Sequence, residues 1–179
     1  MRRIRWWLAA ALVLICIPGL ALGFPKQWPA GEGGNDHYYF VYVGEISWTD
    51  ADDAAQTLVW QGLTGYLATI TSPEEQAWIL ENMVTMGDTW IGGYQVQGAE
   101  EPDGGWRWVT DEAWQYTNWA DGQPDNDAEA NRLVYMPEMD GMWADVPADL
   151  LMNYTLIEFD DDAVATEVTS FSAVKALYR

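Results

Sequence analysis

Apolar and polar positions follow two different patterns along this chain of 179 residues. Residues 51–58 and 72–86 place apolar side chains three and four positions apart, which is the spacing of an amphipathic helix. After Gly87 the apolar residues come in short, strand-forming runs that are separated by long polar loops. Two helices followed by several strands predict an α+β fold rather than alternating βα units.

The first helix has a start signal and a stop signal in the sequence. Thr49 and Asp52 have the spacing of a capping box, in which the two side chains bond the free N–H groups of the first turn. Gly62 is the predicted end, because glycine commonly follows the last helical turn.

The second helix has the stronger start signal. Ser72 is the predicted N-cap, Pro73 occupies the first turn, and Glu75 closes a capping box. Gly87 is the predicted end of the helix. The apolar residues predicted to form its buried face are Ile79, Leu80, Met83, Val84 and Met86.

Runs of β-branched and aromatic residues predict the strands. The candidates are residues 38–43, 89–92, 106–109, 133–136 and 154–159. The loop 117–132 is long and acidic, and loops of this kind are usually functional or disordered. The tryptophans that flank it favour an ordered loop.

The first 23 residues are predicted to be a signal peptide. Arg2, Arg3 and Arg5 form a basic head, an apolar run follows, and cleavage is expected before Phe24. An uncleaved membrane anchor and a lipid anchor at Cys16 are the alternatives. Residues 24–35 are rich in Gly and Pro and are interpreted as a linker.

The charge of the chain excludes several classes of partner. It carries 28 acidic residues against eight Lys and Arg, three of which lie in the predicted leader. Such a surface repels nucleic acid and anionic membranes and attracts cations. Cys16 is the single cysteine, so the mature domain is predicted to fold without disulfides around a tryptophan-rich core. The tryptophans predicted to lie in that core are Trp90, Trp106, Trp108, Trp119 and Trp143.

Oxygen-bearing side chains are concentrated in two loop segments, residues 119–127 and 141–147. Asp, Asn, Glu and Gln oxygens are the ligands that calcium prefers. Asp125 and Asp127 could also serve as a pair of glycosidase carboxylates, but their position beside a cation motif favours metal binding, and no enzymatic activity is predicted. His37 is the only histidine, which gives little support to a zinc site or a histidine-based catalytic site.

Four segments, in the same order along the chain, resemble the C-type lectin-like domain. They are residues 65–75, 90–93, 106–109 and 116–119, and the resemblance extends over residues 36–159. It implies a loop-in-a-loop fold in which two helices flank short antiparallel sheets and a long loop carries the ligand site. The absence of cysteines resembles bacterial, disulfide-free members of the family.

The resemblance also implies a calcium site in the long loop. The tripeptide around Pro124 matches the family's Gln-Pro-Asp motif. The resemblance implies that the peptide bond before Pro124 is cis. The residues that match family ligand positions are Gln123, Asp125, Glu129, Asn131 and Asp145, with Glu129 as a substitute for Asn131.

The chain departs from the family pattern at several positions. Ala144 stands where the family has an asparagine that coordinates the ion and also hydrogen-bonds the sugar hydroxyls. Residues 126–128 include no aromatic residue to stack on a sugar. Gln95 and Ala99 occupy the acidic positions of the auxiliary calcium site, and Leu133 replaces a family cysteine.

Two functions remain open from the sequence. The first is a secreted, calcium-dependent module that binds glycans, with the galactose-type hydroxyl geometry that the Gln-Pro-Asp motif suggests. The second is a calcium-independent protein-binding or adhesion domain on the same fold. Both place the protein outside the cytoplasm, as a secreted, periplasmic or cell-surface protein. Residues 160–179 are predicted to be an acidic tail rich in Ser and Thr, either frayed or acting as a sorting or docking peptide.

Overall fold

The structure is a computed structural model that describes residues 20–21, 23–125 and 127–160. Most of the predicted leader, and the predicted tail from residue 161 onward, lie outside the described residues.

The described residues form two α-helices and ten strands. The helices are α1 (Trp48–Thr57) and α2 (Pro73–Asn82). The strands are β1 (Leu20–Ala21), β2 (Lys26–Gln27), β3 (Tyr38–Ile46), β4 (Val59–Trp60), β5 (Leu63–Leu67), β6 (Thr89–Gln95), β7 (Trp106–Trp108), β8 (Ala130–Met136), β9 (Met142–Pro147) and β10 (Met152–Phe159). The predicted α+β fold class is confirmed. Neither helix has the length and apolar composition that a membrane crossing requires, as far as the described ranges extend.

Strand β10 lies at the centre of the sheet. It pairs antiparallel with β3 and β5, and parallel with β6. Strand β6 pairs antiparallel with β7 and β8, and β8 pairs antiparallel with β9. Tyr38 lies opposite Phe159, so the first and last long strands are joined as the resemblance implies. The sheet is therefore mixed, because β6 runs parallel to its neighbour β10 while the other pairs are antiparallel.

Helix α1 begins two residues earlier than predicted. Its N-cap is Ser47, whose Oγ accepts a hydrogen bond from the Asp50 backbone N–H at 3.2 Å and donates to Asp50 Oδ2 at 2.7 Å. Thr49, the predicted cap, lies inside the first turn. The helix ends at Thr57 because the chain turns into the β4–β5 hairpin, and Gly62 lies in that hairpin's turn with a φ of 92°.

Helix α2 begins as predicted. Ser72 Oγ accepts from the Glu75 backbone N–H at 3.1 Å, and Pro73 opens the helix. It ends at Asn82, not at Gly87, because Met83 already has an extended backbone conformation.

The predicted buried face of α2 is correct for only part of its residues. Ile79 and Met83 are buried, as expected. Leu80, Val84 and Met86 are exposed, with 39%, 72% and 75% of their surfaces accessible. The helical spacing does not continue past Asn82, and the buried positions nearer the start of the helix belong to the polar residues Glu75 and Gln76.

Tryptophans dominate the core, as predicted. Trp90, Trp106, Trp108 and Trp143 are buried, and Trp119 is partly buried against them. Trp108 and Trp143 meet edge to face with ring centroids 5.6 Å apart. Such aromatic pairs add about 0.5–1.5 kcal/mol beyond the apolar area that they bury.

Residues 24–35, interpreted as a linker, are packed against the domain. Strand β2 extends β3, and Trp28 is only 7% exposed and stacks on Trp78 with ring centroids 6.0 Å apart. A Gly- and Pro-rich composition gives no indication of this buried indole. Strand β1 also pairs with β3, at Val43 and Tyr42, although its two residues belong to the predicted leader.

Candidate functional site

The long loop is attached to β9 on both sides of Trp119. The Ala120 backbone N–H donates to Trp143 O at 2.9 Å, and the Trp143 N–H donates to Asn118 O at 2.8 Å. Trp119 packs edge to face on Trp143 with ring centroids 6.1 Å apart. This attachment explains why an acidic loop is ordered, and it brings the turn around Pro124 close to β9.

The Gln-Pro-Asp turn converges with Asp145. The peptide bond before Pro124 is cis, as the resemblance implies. The Asp125 backbone N–H donates to Gln123 Oε1 at 3.2 Å and to Asp145 Oδ1 at 3.1 Å. Side-chain oxygens from Gln123 and Asp145 thus approach the same backbone N–H, although the residues are far apart in sequence.

Asp145 is the most unusual group at this position. It lies on β9 opposite Leu133 and is 5% exposed. Its Oδ2 atom is buried and has no hydrogen-bond partner within the described part of the chain. Burial raises the pKa of Asp145, the charges of Asp125 and Glu101 raise it further, and backbone N–H donors oppose them. Buried carboxylate oxygens are nearly always paired, so Asp145 Oδ2 is a candidate position for a proton, an ordered water or a cation.

The other two predicted ligands do not join this group. Asn131 Oδ1 accepts from Arg132 Nη1 at 2.8 Å, and Asn131 O accepts from the same nitrogen at 2.7 Å. Glu129 is exposed, and its backbone N–H donates to Asp127 Oδ1 at 3.1 Å. The β8–β9 register shifts between Ala130 and Arg132, and such an irregularity changes the direction of side chains. Of the five predicted ligands, the structure therefore brings the side-chain oxygens of Gln123 and Asp145 to the Asp125 backbone N–H. The Asp125 carboxylate is exposed, and its Oδ1 accepts from the Asp127 backbone N–H at 2.8 Å.

Ala144 is packed within the apolar core. It is 8% exposed and belongs to the same cluster as Trp90 and Val134, its partner on β8. A small apolar side chain in the core thus occupies the position where the family has a polar ligand.

The Gln95 side chain holds the loop that follows β6 in place through hydrogen bonds. It is buried, and its amide Nε2 donates to Glu101 Oε2 at 3.2 Å, Pro102 O at 3.3 Å and Gly104 O at 3.0 Å. The side chain at Gln95, a position that the resemblance assigns to the auxiliary calcium site, thus holds a loop.

A second polar group surrounds His37 and was not found from the sequence. Among the residues that the structure describes, His37, Glu158 and Asp160 form the group of His, Cys, Asp or Glu side chains whose ligand atoms all lie within 4.8 Å of one another. His37 Nδ1 lies 2.5 Å from Glu158 Oε1 and 3.6 Å from Asp160 Oδ2. The Thr69 backbone N–H donates to Glu158 Oε2 at 3.0 Å, and Tyr66 Oη donates to Asp160 at 2.5 Å.

This network continues to α2 through Glu75. Tyr39 Oη donates to Glu75 Oε1 at 2.5 Å, and the Thr71 N–H donates to Glu75 Oε2 at 2.7 Å. Burial raises the pKa of Glu75, while the hydrogen bonds from Thr71 and Tyr39 lower it. His37 and Glu158 are separated by 121 positions, so no spacing motif could have indicated their contact.

Comparison with known proteins gives a consistent match. The family model described as "Lectin C-type domain" matches residues 45–155. A perlucin-like protein of Mytilus galloprovincialis is 36% identical over 105 residues, which cover 57% of this chain and 64% of the relative. Asialoglycoprotein receptor 2 of Homo sapiens is 34% identical over 104 residues, covering 57% of this chain and 29% of the receptor. Halomucin of Haloquadratum walsbyi is 32% identical over 127 residues, covering 70% of this chain and 1% of the relative. The chain thus spans less than two thirds of these relatives.

Solved structures share the same fold. C-type lectin CEL-I from Cucumaria echinata superposes with a TM-score of 0.60 at 24% identity, covering 75% of this chain and 99% of that lectin. A calcium-independent type II antifreeze protein superposes with a TM-score of 0.60 at 22% identity, covering 83% of this chain and 95% of that protein. At these identities, the likeness concerns the fold alone.

Proposed function

Because the chain belongs to the C-type lectin domain family, whose members are non-enzymatic binding domains, we propose that it binds carbohydrate outside the cytoplasm through a calcium ion held by the long loop. The family assignment agrees with the prediction that the chain is not an enzyme. Calcium dependence, the ligand residues and the type of sugar belong to the proposal.

The observation that carries this proposal is the buried carboxylate of Asp145. Its Oδ2 is without a partner among the described residues, and its Oδ1 faces the Gln123–Asp125 turn. A calcium ion would supply the positive charge that this group lacks. The donor set consists of carboxylate and amide oxygens, which suits a hard cation.

The ligand set needs further oxygens. Calcium takes six to eight oxygen ligands, and Gln123, Asp125 and Asp145 do not supply them all. Glu129 is exposed and free to turn toward the ion, whereas Asn131 would first have to break its bond to Arg132. Water or sugar hydroxyls would occupy the position left by Ala144. A bound ion would supply coordination sites for two neighbouring sugar hydroxyls.

The type of sugar is argued from the Gln-Pro-Asp order at residues 123–125. In the family this order goes with galactose-type hydroxyl geometry, and asialoglycoprotein receptor 2 is among the relatives that match this chain. A neutral glycan also suits a chain with a formal net charge of −20, which disfavours anionic ligands.

A calcium-independent protein-binding or adhesion domain is the second candidate. Two features favour this second candidate. Ala144 has no side-chain oxygen to offer an ion, and the Asn131 side-chain oxygen is already bonded to Arg132. A calcium-independent antifreeze protein with the same fold shows that the architecture does not require the ion.

Calcium titration of the purified chain tests the first candidate against the second. Calcium should raise the unfolding temperature by mass action, and calorimetry should give a saturable heat. Asp125→Ala and Asp145→Asn should each abolish both effects. Asp121→Ala, an exposed acidic residue of the same loop, should leave them unchanged and controls for the loss of charge.

Retention on a galactose matrix completes the test. It should require calcium, and a chelator should reverse it. If millimolar calcium changes neither the unfolding temperature nor the heat of the unsubstituted chain, the calcium-dependent candidate fails and the adhesion candidate remains.

A further inference from the structure

A cavity lies away from the Gln123–Asp125 turn, between α1 and the strands β6 and β8. It has a volume of about 430 Å³, within the usual range of ligand pockets of about 300–1,000 Å³. Its walls combine aromatic rings with a cation, a carboxylate and an amide. The lining residues used below are Trp48, Asp52, Gln56, Tyr66, Tyr94 and Arg132.

The two charged groups of this cavity are close but not joined. The charge of Asp52 raises the pKa of Arg132, and Arg132 lowers that of Asp52, but in both residues burial is the larger influence and acts in the opposite direction. No ion pair or direct hydrogen bond connects the two side chains within the described ranges. Arg132 instead lies over the Trp48 ring, with its Cζ 4.5 Å from the ring centroid.

Each charged group also has an unsatisfied atom. Asp52 Oδ1 and Arg132 Nε are buried and lack hydrogen-bond partners among the described residues. Buried polar atoms are nearly always paired, so an unpaired acceptor and an unpaired donor on two residues that line one cavity require an explanation. A bound molecule that both accepts and donates hydrogen bonds would pair the two atoms once the side chains turn them toward the cavity.

We propose that this cavity is a metal-independent binding site for a neutral saccharide. A guanidinium only donates hydrogen bonds and a carboxylate only accepts them, whereas a hydroxyl does both, so neighbouring sugar hydroxyls match the Arg132–Asp52 pair. The Gln56 amide, which donates to Asp52 Oδ2 at 3.1 Å, fixes the carboxylate at the rim. The rings of Tyr66 and Tyr94 provide apolar surface for sugar C–H groups.

The charge of the protein favours a neutral ligand over a carboxylate. The chain has a formal net charge of −20, and Asp52 would repel an anion placed beside Arg132. No proposed calcium ligand lines the cavity, although Arg132 donates to Asn131 at its edge, so sugar binding at the cavity can be tested without calcium.

Nuclear magnetic resonance titration in the presence of a chelator tests the site directly. The full chain, labelled with ¹⁵N, is titrated with methyl galactoside, methyl glucoside and methyl mannoside in turn. At least one sugar should cause a saturable shift of the Trp48 indole N–H signal, which reports on the cavity wall and donates to Ile91 O at 3.0 Å. Absence of a saturable shift with all three sugars would overturn the proposal.

Substitutions identify the groups responsible. Asp52→Asn should weaken the affinity for the sugar by roughly tenfold or more, because the substitution removes a charged hydrogen-bond acceptor. Asp53→Asn is the matched control, since Asp53 is an exposed neighbour on the same helix that does not line the cavity. Gln56→Ala, at an exposed position that substitution should not unfold, should also weaken binding.

The outcomes separate this site from the calcium site. Chelator-resistant binding that Asp52→Asn weakens and Asp125→Ala leaves intact supports the cavity. Binding that needs calcium and is lost in Asp125→Ala but not in Asp52→Asn overturns the cavity proposal and supports the calcium-dependent function. Equal losses in Asp52→Asn and Asp53→Asn would also overturn it, because they would indicate a general charge effect.

Discussion

Glu158 is a buried carboxylate whose cationic partner is His37. Burial alone would lower the pKa of His37, but the hydrogen bond to Glu158 and the charges of Glu158, Asp160 and Glu75 raise it to about 9. Burial raises the pKa of Glu158, and His37 opposes that effect. The imidazolium thus compensates for part of the cost of burying a carboxylate on the central strand.

This pairing predicts a pH dependence of stability. Since the folded-state pKa of His37 lies above its ordinary value, the stabilisation is complete below about pH 6.5 and is lost as the pH rises through about 9. Chemical unfolding measured from pH 6 to 10 should show a loss on the order of 2 kcal/mol in the unsubstituted protein.

His37→Gln provides the comparison for this prediction. Glutamine retains a hydrogen-bond donor but cannot carry the charge, so the loss of stability between about pH 6.5 and 9 should be much smaller. The other groups facing His37 are Glu75, Glu158 and Asp160. Glu158, whose pKa burial raises to about 7, also titrates in this range and contributes a loss that the substitution does not remove. Equal slopes for the two proteins would show that His37 does not stabilise the fold as a cation.

At the scale of elements, the position of Ser47 decides where α1 begins. Ser47→Ala should lower the free energy of unfolding by about 1 kcal/mol, because the cap to the Asp50 N–H is lost. Thr49→Ala is the matched control: Thr49 is exposed inside the first turn, and alanine is the better helix former, so no loss is expected. Urea unfolding of both variants checks this, and a larger loss in Thr49→Ala would favour the cap predicted from the sequence.

The sequence could predict that a capped helix begins here, but not at which residue. The Ser47–Asp50 cap that the structure shows has the same spacing as the predicted Thr49–Asp52 box, so spacing alone does not distinguish them. Trp48 decides between them, because it is buried and its indole N–H donates to Ile91 O at 3.0 Å. That contact joins α1 to β6, and such a tertiary demand cannot be found in local spacing.

The same limit applies to the candidate site. The turn at residues 123–125 and its approach to Asp145 follow from the family resemblance, and the structure brings them together. Asn131, a predicted ligand, lies apart from that group: its side-chain oxygen accepts from Arg132 beside the β8–β9 irregularity. His37 and Glu158 meet only through the pairing of β3 with β10, which composition and periodicity do not specify.

At the scale of the whole molecule, the folded unit is larger than the region of family resemblance. The resemblance begins at residue 36, but Trp28 is buried within the first core cluster and its N–H donates to His37 O at 3.0 Å. The segment that was interpreted as a linker therefore contributes to the domain without any help from disulfides. An aromatic cluster that lacks covalent cross-links depends on each large ring that it buries.

Two aromatic residues of this segment give a sharp test of the domain boundary. Trp28→Ala should destabilise the domain by about 3–5 kcal/mol, as expected for truncating a buried aromatic residue. Phe24→Ala, in the same segment but with the side chain 75% exposed, should cost less than about 1 kcal/mol. Thermal and urea unfolding of the two variants measure the difference.

Equally small losses would mean that residues 24–35 are a linker and that the domain begins near residue 36. A large loss confined to Trp28→Ala would move the boundary of the stable domain to Trp28 or before it, so that binding experiments on a fragment starting at residue 36 would measure a weakened fold.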